Sequence, residues 1–252
     1  MKQNSSIVKP SKQLSLVAAF IFIYIILFEF VLVPVRFIPK PSILFESFIS
    51  LWDAYNLAVL LFSTTSIIYS ALLLGYLLIT FSAKYLLKVI YEYPGLMNFS
   101  IPFKYFSIFL FALLFNLWFS DSLTAEFIFA ILVVLSFLLS ALKRESQNPK
   151  EEYVLTAKSL GLSSEEIYGK VIWKDLQPSI FSGLAKLHIS LWMIILIYEF
   201  VGQNEGVGSL YFTAFSYNDI AAVFALGILI CLLILFGNMI IKYLYQKIFF
   251  WE

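Results

Sequence analysis

The chain has 252 residues, of which 61% are hydrophobic, 19% aromatic and 13% charged. Soluble domains are about one-half apolar and one-quarter charged, so this composition excludes a soluble domain and marks an integral membrane protein. A net charge of +1 gives no pull towards nucleic acid, and a single cysteine excludes an intrachain disulfide or a multi-cysteine metal site. That cysteine, Cys231, sits in an apolar run and reads as a small core residue.

Met1–Gln13 is polar and carries Lys2, Lys9 and Lys12. Leu14–Val33 then supplies about the twenty apolar residues needed to cross a bilayer. It is long for a signal-peptide core and no small-residue cleavage site ends it, so it reads as a retained first span, with Glu29 near its outer end. Pro34, Pro39 and Pro41 forbid helix continuation. After them, Ile43, Leu44, Ser47, Phe48, Leu51 and Trp52 have the spacing of a short amphipathic helix on the membrane surface.

Leu57–Phe81 is the second expected span; Ser63, Thr64, Thr65, Ser66, Ser70 and Gly75 on it allow close helix approach in lipid. Lys84, Lys88 and Glu92 mark its exit, and Pro94-Gly95 makes a turn. Ile101–Phe119 is the third span, with Lys104 near its start and Asn116 near its end. Ser120-Asp121-Ser122 is a tight outer turn, and Leu123–Leu142, with Glu126 at its start, is the fourth span. Ile180–Val201 and Ile220–Ile241 are the fifth and sixth. The expected fold is all-α and polytopic, with about six transmembrane helices in one domain over residues 1–252. Six spans put both termini on one side. Of the seventeen Lys and Arg residues, all but Arg36 and Lys40 fall on that side, which the positive-inside rule makes cytoplasmic. Lys104 and Lys186 are expected to snorkel to that interface, and Trp52, Trp118 and Trp251 suit interfacial belts.

The polar interruption over residues 143–178 has strong local signals. Asn148 is a favoured N-cap, Pro149 suits the first helical position, and Glu151 follows as in a capping box. Tyr153, Ala157 and Leu160 then share one face, and Gly161 is placed to stop the helix in a left-handed conformation. Ser163-Ser164-Glu165-Glu166 starts a second helix by a capping box, with Ile167, Tyr168, Val171 and Ile172 as its apolar stripe. Pro178 ends that helix or kinks it into the fifth span. Two short capped helices joined by a glycine turn fit either a moving lever or a hairpin that merely covers the membrane domain. A DNA-reading helix-turn-helix is disfavoured, because the second helix is rich in neither Arg nor Asn/Gln base readers. No Walker A pattern occurs: the spacing from Gly161 to Gly169-Lys170 is wrong and Val171 follows.

The pattern A-K-S-L-G-L-S at 157–163, then Val171-Ile172 and P-S-I-F-S-G-L at 178–184, resembles the coupling loop of permease subunits in binding-protein-dependent ABC importers. That loop has the form E-A-A-x-x-x-G, then I-x-L-P. Ala157 and Gly161 match its second Ala and its Gly, Ile172 its Ile, and Pro178 a late Pro. Tyr198-Glu199-Phe200-Val201-Gly202, followed by Gly206-Val207-Gly208, is similar to the nitrate, sulfonate and taurine branch, as are the Ser-rich second span and Pro39-x-Pro41. Leu155 stands where the pattern has its acid, Thr156 where it has its first Ala, and Lys174 where it has its Pro; the nearest acids are Glu151 and Glu152.

The resemblance implies a permease subunit in a bacterial inner membrane, moving a small anion delivered by an extracytoplasmic solute-binding protein. Its partners would be two ATPase subunits, which bind the ATP, and a second permease chain, identical or different. The coupling residues would be Glu151, Glu152, Leu155, Ala157, Leu160, Gly161, Leu162, Ile172 and Pro178. No cofactor or metal is expected in this chain itself.

Ser63, Ser66, Asn116 and Glu199 are candidates for the translocation path. For Ser63 and Ser66 the rival role is helix packing, for Asn116 pairing between helices, and for Glu199 a structural carboxylate at the Gly202–Gly208 turn. Gly202, Gly206 and Gly208 read as turn residues that let the outer loop fold back. His188, close to Lys186, is expected at the interface. Rival functions are an ion-coupled carrier, which wants charges at mid-membrane, and a degenerate or scaffold half of a heterodimeric permease.

Overall fold

A computed structural model describes residues 10–31, 38–93, 107–119, 123–147 and 151–250. Expectations resting on Pro34, Arg36, Pro94-Gly95, Lys104, Ser120–Ser122, Asn148–Lys150 and Trp251 lie outside these residues. Every described element is a helix, which is how an apolar chain satisfies its backbone in lipid. In order they are α1 (Pro10–Ile26, widening to a π turn over Leu27–Val31), α2 (Pro41–Ala54) and α3 (Leu57–Glu92). Then come α4 (Ile108–Trp118), α5 (Leu123–Glu145) and α6 (Glu151–Ser159). The last are α7 (Ser164–Gly202, with a π stretch at Ile167–Ile172), α8 (Val207–Ser216) and α9 (Ile220–Ile248).

Four of these, α3, α5, α7 and α9, are long and apolar enough to cross a membrane. Of the expected first and third spans, the described residues contain the apolar helices Ser15–Val31 and Ile108–Trp118. The expected second short helix of the hairpin is not a separate element. It is the first part of α7, which runs unbroken for 39 residues. Pro178 lies inside this helix and does not end it; it removes one N–H donor from a rod whose neighbouring turns are held by packing.

The lengths of α3 and α7 decide the layout. At 1.5 Å per residue, 36 residues of α3 span about 54 Å and 39 of α7 about 58 Å, against about 30 Å of hydrocarbon. Both overshoot on the same side, because Lys84 and Lys88 of α3 ion-pair with Glu165 of α7. The hairpin therefore stands outside the apolar layer on two helical stalks.

In the membrane, α7 is central and packs against α3, α4, α5, α8 and α9. It buries Leu184, Leu187, Leu191, Trp192, Ile195 and Tyr198. Helix α3 turns a stripe of Thr64, Ile68, Ala71, Gly75, Ile79, Ala83 and Leu87 inwards, the spacing of one helical face. Against it α5 sets Phe129, Ala130, Val134, Leu138 and Leu142. At Gly75 a Cβ would overlap the Val134 side chain, so glycine sets the closest approach of the two helices. Phe62, Leu73 and Phe81 point outwards, as residues facing lipid do. Cys231 is exposed too, on the lipid-facing side of α9 with Ile228, Leu232 and Leu235, and is not a core residue.

Helix α2 starts with Pro41 in its first turn. Its free N-terminus is capped from α1: Ser42 donates its backbone N–H (3.1 Å) and hydroxyl (3.0 Å) to the Glu29 carboxylate. Tyr24 also donates to the Pro39 carbonyl at 2.6 Å. Leu51 buries into the bundle while Phe45, Ile49 and Trp52 stay exposed, the split of a helix at a membrane surface.

Replacing Gly75 by Leu is expected to lower the thermal midpoint of the purified chain, with overpacking costing about 1–3 kcal/mol. Gly183→Ala, where nothing lies within 4 Å of the added Cβ, is the control and leaves the midpoint unchanged or raised.

Candidate functional site

The hairpin is built from its turn. Gly161 has φ +77°, which a residue with a side chain adopts only with strain. Leu162 donates its N–H to the Ala157 carbonyl (3.2 Å) and Gly161 to that of Lys158 (3.0 Å), closing the end of α6 in a Schellman motif. Two residues on, Ser163 caps α7: its hydroxyl accepts from the Glu166 N–H, and its own N–H donates to the Glu166 carboxylate at 3.2 Å. Lys170 donates to the same carboxylate at 2.9 Å. These turns lie beyond the apolar layer. There Lys170 first, then the Ser163 N–H and hydroxyl, hold the Glu166 carboxyl down to about 2 from its usual 4.5. A depressed carboxyl supports the cap above its ordinary value and releases it only as pH falls towards 2.

The two caps fix how α6 meets α7. Ala157 is buried and Leu162 packs on the core, while Ile172 and Pro178 are buried in α7. Tyr153, Leu155 and Leu160 are 49%, 64% and 75% exposed, so the face expected to be uniform divides: only Ala157 of its members turns inwards. Glu152 is exposed and Glu151 opens α6. The result is a set of exposed apolar side chains, Tyr153 and Leu155 on α6 and Leu160 just after it, outside the membrane spans.

From the hairpin, α7 is laced to α3 at successive levels. Glu165 accepts from Lys84 (2.7 Å) and Lys88 (3.4 Å), and the Tyr168 and Tyr91 rings stack at 5.6 Å. Gln177 donates to the Tyr76 hydroxyl at 3.2 Å. The His188 ring meets the Tyr69 hydroxyl at 3.2 Å. At the far end, Thr64 donates to Glu199 at 2.6 Å. His188 is therefore fully buried among α3, α7 and α9, not interfacial. Trp192, a donor only, gives its N–H to His188 Nε2 at 2.9 Å, so Nδ1 carries the proton that it donates to Asn238 Oδ1 at 3.1 Å.

The end opposite the hairpin holds a second polar group. Glu199 is 0% exposed; besides Thr64, it accepts from the Gly208 N–H at 2.6 Å. Thr64 in turn accepts from the Val207 N–H at 3.0 Å, so α3 is pinned to the start of α8. Asn116 donates to the Tyr198 carbonyl and accepts from the Asn204 amide, both at 3.2 Å. Ser63 donates to the Glu205 carbonyl at 3.2 Å, whereas Ser66 is exposed and outside this group. The turn itself is not made by glycine. Its left-handed residue is Gln203, at φ 53°. Gly202, Gly206 and Gly208 act by lacking a side chain: a Cβ would overlap the Asn116 amide, the Glu199 carboxyl and the Leu196 carbonyl respectively.

Sequence reasoning thus gathers Ser63, Asn116, Glu199 and the three glycines at one end and the coupling residues at the other. It misses Thr64, Tyr198 and Asn204 as partners, and it leaves Glu126 at the start of a span, whereas the structure buries it completely. A carboxyl within an apolar run is the signal that marks Glu126.

A family model described as "Binding-protein-dependent transport system inner membrane component" matches residues 75–250, more than half of the chain. The chain belongs to that family. It is an ABC transporter permease, a transport component rather than an enzyme, of a family whose members act with ATPase and binding-protein partners. The match covers the hairpin, all of α7 and the whole of α9, while Ser63, Thr64 and Tyr69 of α3 lie before it. No curated protein matches the chain.

Thr64→Val in this permease removes the donor to Glu199 and the acceptor for Val207 while keeping the shape. The expected loss is about 1–3 kcal/mol per unpaired buried group. It is read as a lower thermal midpoint and faster hydrogen exchange at the Val207 amide.

Proposed function

We propose that the chain is the membrane half of an ATP-driven importer and that α6 is where an ATPase subunit docks. One observation carries this reading. Leu155 and Leu160 are exposed apolar residues outside the spans, on a helix locked to α7 by the Gly161 turn and the Ser163 cap. An ATPase cleft closing on α6 would push on the start of α7. Because α3 is tied to α7 along its length, the two would tilt together and expose the path alternately to either side. ATP stays on the ATPase; this chain, a single permease domain over residues 1–252 with its coupling loop at 143–178, supplies no nucleotide site.

The hairpin and both termini are placed in the cytoplasm on the distribution of Lys and Arg. The motif running from Tyr198 to Gly208 supports the nitrate, sulfonate and taurine branch, and with it a small anionic solute brought by an extracytoplasmic binding protein. Ser63, Ser66, Asn116 and Glu199 are the proposed path residues. Two ATPase subunits and a second permease chain complete the machine. Leu155 and Lys174, standing where the motif has Glu and Pro, favour a partner chain different from this one, which would supply the coupling features that this chain lacks.

The test is capture of an ABC-importer ATPase subunit coexpressed with the permease. Leu155→Asp and Leu160→Asp are expected to reduce its copurification at least tenfold, a loss of about 1.4 kcal/mol or more, with the thermal midpoint of the permease unchanged because both side chains are exposed. Undiminished capture by the double variant contradicts docking at α6. Transport by the chain in liposomes without any ATPase contradicts the importer itself.

A further inference from the structure

We infer that Glu126, Glu199, Tyr198 and Asn204 form a binding site for one hard metal cation at the end of the bundle opposite the hairpin. Glu126 of α5 and Glu199 of α7 are both 0% exposed, and their carboxyls lie within reach of each other. The two buried carboxyl groups lie close enough for one, when protonated, to hydrogen-bond the other, and Phe129, one turn on from Glu126, stacks on the Tyr198 ring at 4.6 Å. Among the described residues no ion pair reaches either one. A buried carboxylate is neutralised by a proton, paired with a cation or bound to a metal.

The surroundings point to a ligand rather than to a bare acidic pair. Both Glu126 oxygens, the Tyr198 hydroxyl and Asn204 Oδ1 have no hydrogen-bond partner among the described residues. Tyr198 is 0% and Asn204 7% exposed, so bulk solvent does not reach these atoms. The Tyr198 hydroxyl lies beside both the Glu126 carboxyl and the Asn204 amide, which gathers the three side chains in one group. Asn116 holds the orientation: it accepts from the Asn204 Nδ2 at 3.2 Å, which leaves Oδ1 as the free end.

Glu199 keeps coordinating capacity as well. Each of its oxygens accepts one hydrogen bond, from Thr64 and Gly208, and each has a second lone pair. The backbone closes on the group at Gly202 and Gly206, where an added Cβ would overlap the Asn116 amide and the Glu199 carboxyl.

Carboxylate, amide and phenol oxygens, without thiol or imidazole, suit hard cations such as sodium or calcium and disfavour zinc or copper. Two carboxylates match the charge of a divalent ion, and one carboxylate with one protonated partner matches a monovalent ion. A bound cation would bridge α5 to α7 at the end where α3 and α8 are already pinned, so occupancy would stabilise that end as closed. Neither the ATPase nor the solute enters this inference, and its failure would leave the docking of α6 untouched.

The test uses the full chain in lipid nanodiscs, with thermal unfolding followed at fixed pH. Sodium chloride and calcium chloride are titrated separately against N-methyl-D-glucamine chloride at matched ionic strength. The expected result is a saturable rise of the midpoint with at least one metal. It disappears in Glu126→Gln, and in Tyr198→Phe its half-saturation rises at least about tenfold. Glu46→Gln, an exposed carboxylate on α2, responds as the unaltered chain does. No response beyond the organic-cation control overturns the site, as does an equal response in Glu126→Gln. A midpoint that depends on pH but on neither metal assigns a shared proton to the carboxyls and also overturns it. If Glu126→Gln does not fold, an unchanged half-saturation in Tyr198→Phe is decisive against the site.

Discussion

A helix of 39 residues is nearly twice as long as a bilayer needs, and α7 is such a helix. Most of the architecture follows from that mismatch. The surplus is not tilted away but stands outside the apolar layer, where its first turns carry Glu165, Glu166 and Lys170 and receive α6. Because α7 is continuous through Pro178, one rod joins the hairpin to the polar group around Glu199. In the proposed importer this is the physical basis of coupling: a push at one end is delivered at the other without an intervening joint.

A long rod in lipid is useful only if its neighbours hold it in register. Apolar packing against lipid-like side chains does little for this, since the alternative partner, an acyl chain, is just as apolar. The register is given by polar contacts between α3 and α7, from Lys84–Glu165 through Tyr76–Gln177 and Tyr69–His188 to Thr64–Glu199. The exposed ion pair adds little and weakens with salt, while the buried bonds leave costly unpaired groups if broken. Gly75 allows α5 to come against α3, and the glycines after α7 allow the chain to close over Glu199.

Local signals in the sequence were strong wherever backbone chemistry decided the outcome. Gly161 stops α6 with a left-handed residue, Ser163 and Glu166 cap α7, and Pro41 opens α2, all as the residue types require. The all-helical class and the four longest spans follow from apolar run length. The errors share a cause, since each depends on what lies across the bundle. Pro178 reads as either an end or a kink, and only the neighbouring helices decide that the helix carries on through it. His188 and Glu126 look interfacial by their place in the run, yet both are fully buried by the helices around them. Cys231 looks like core but faces outwards, because an apolar run does not say which side meets lipid. The turn at Gln203 hides behind its three glycine neighbours, whose absence of side chains serves packing instead.

The most direct measurement is of α3 and α7 as one moving body. Cys231 is the single native thiol, so a Cys231→Ser background permits spin labels at Tyr85 and Lys170, near the hairpin, and at Phe62 and Ile197, at the other end. Distances are compared between nucleotide-free and ATP-bound states of the assembled transporter. A rigid pair keeps both intra-pair distances constant while the distance from Lys170 to a label on α9, such as Met239, changes. A Tyr85–Lys170 distance that changes on ATP binding while Phe62–Ile197 stays fixed would contradict it, because α7 would then bend or slide past α3 instead of carrying it.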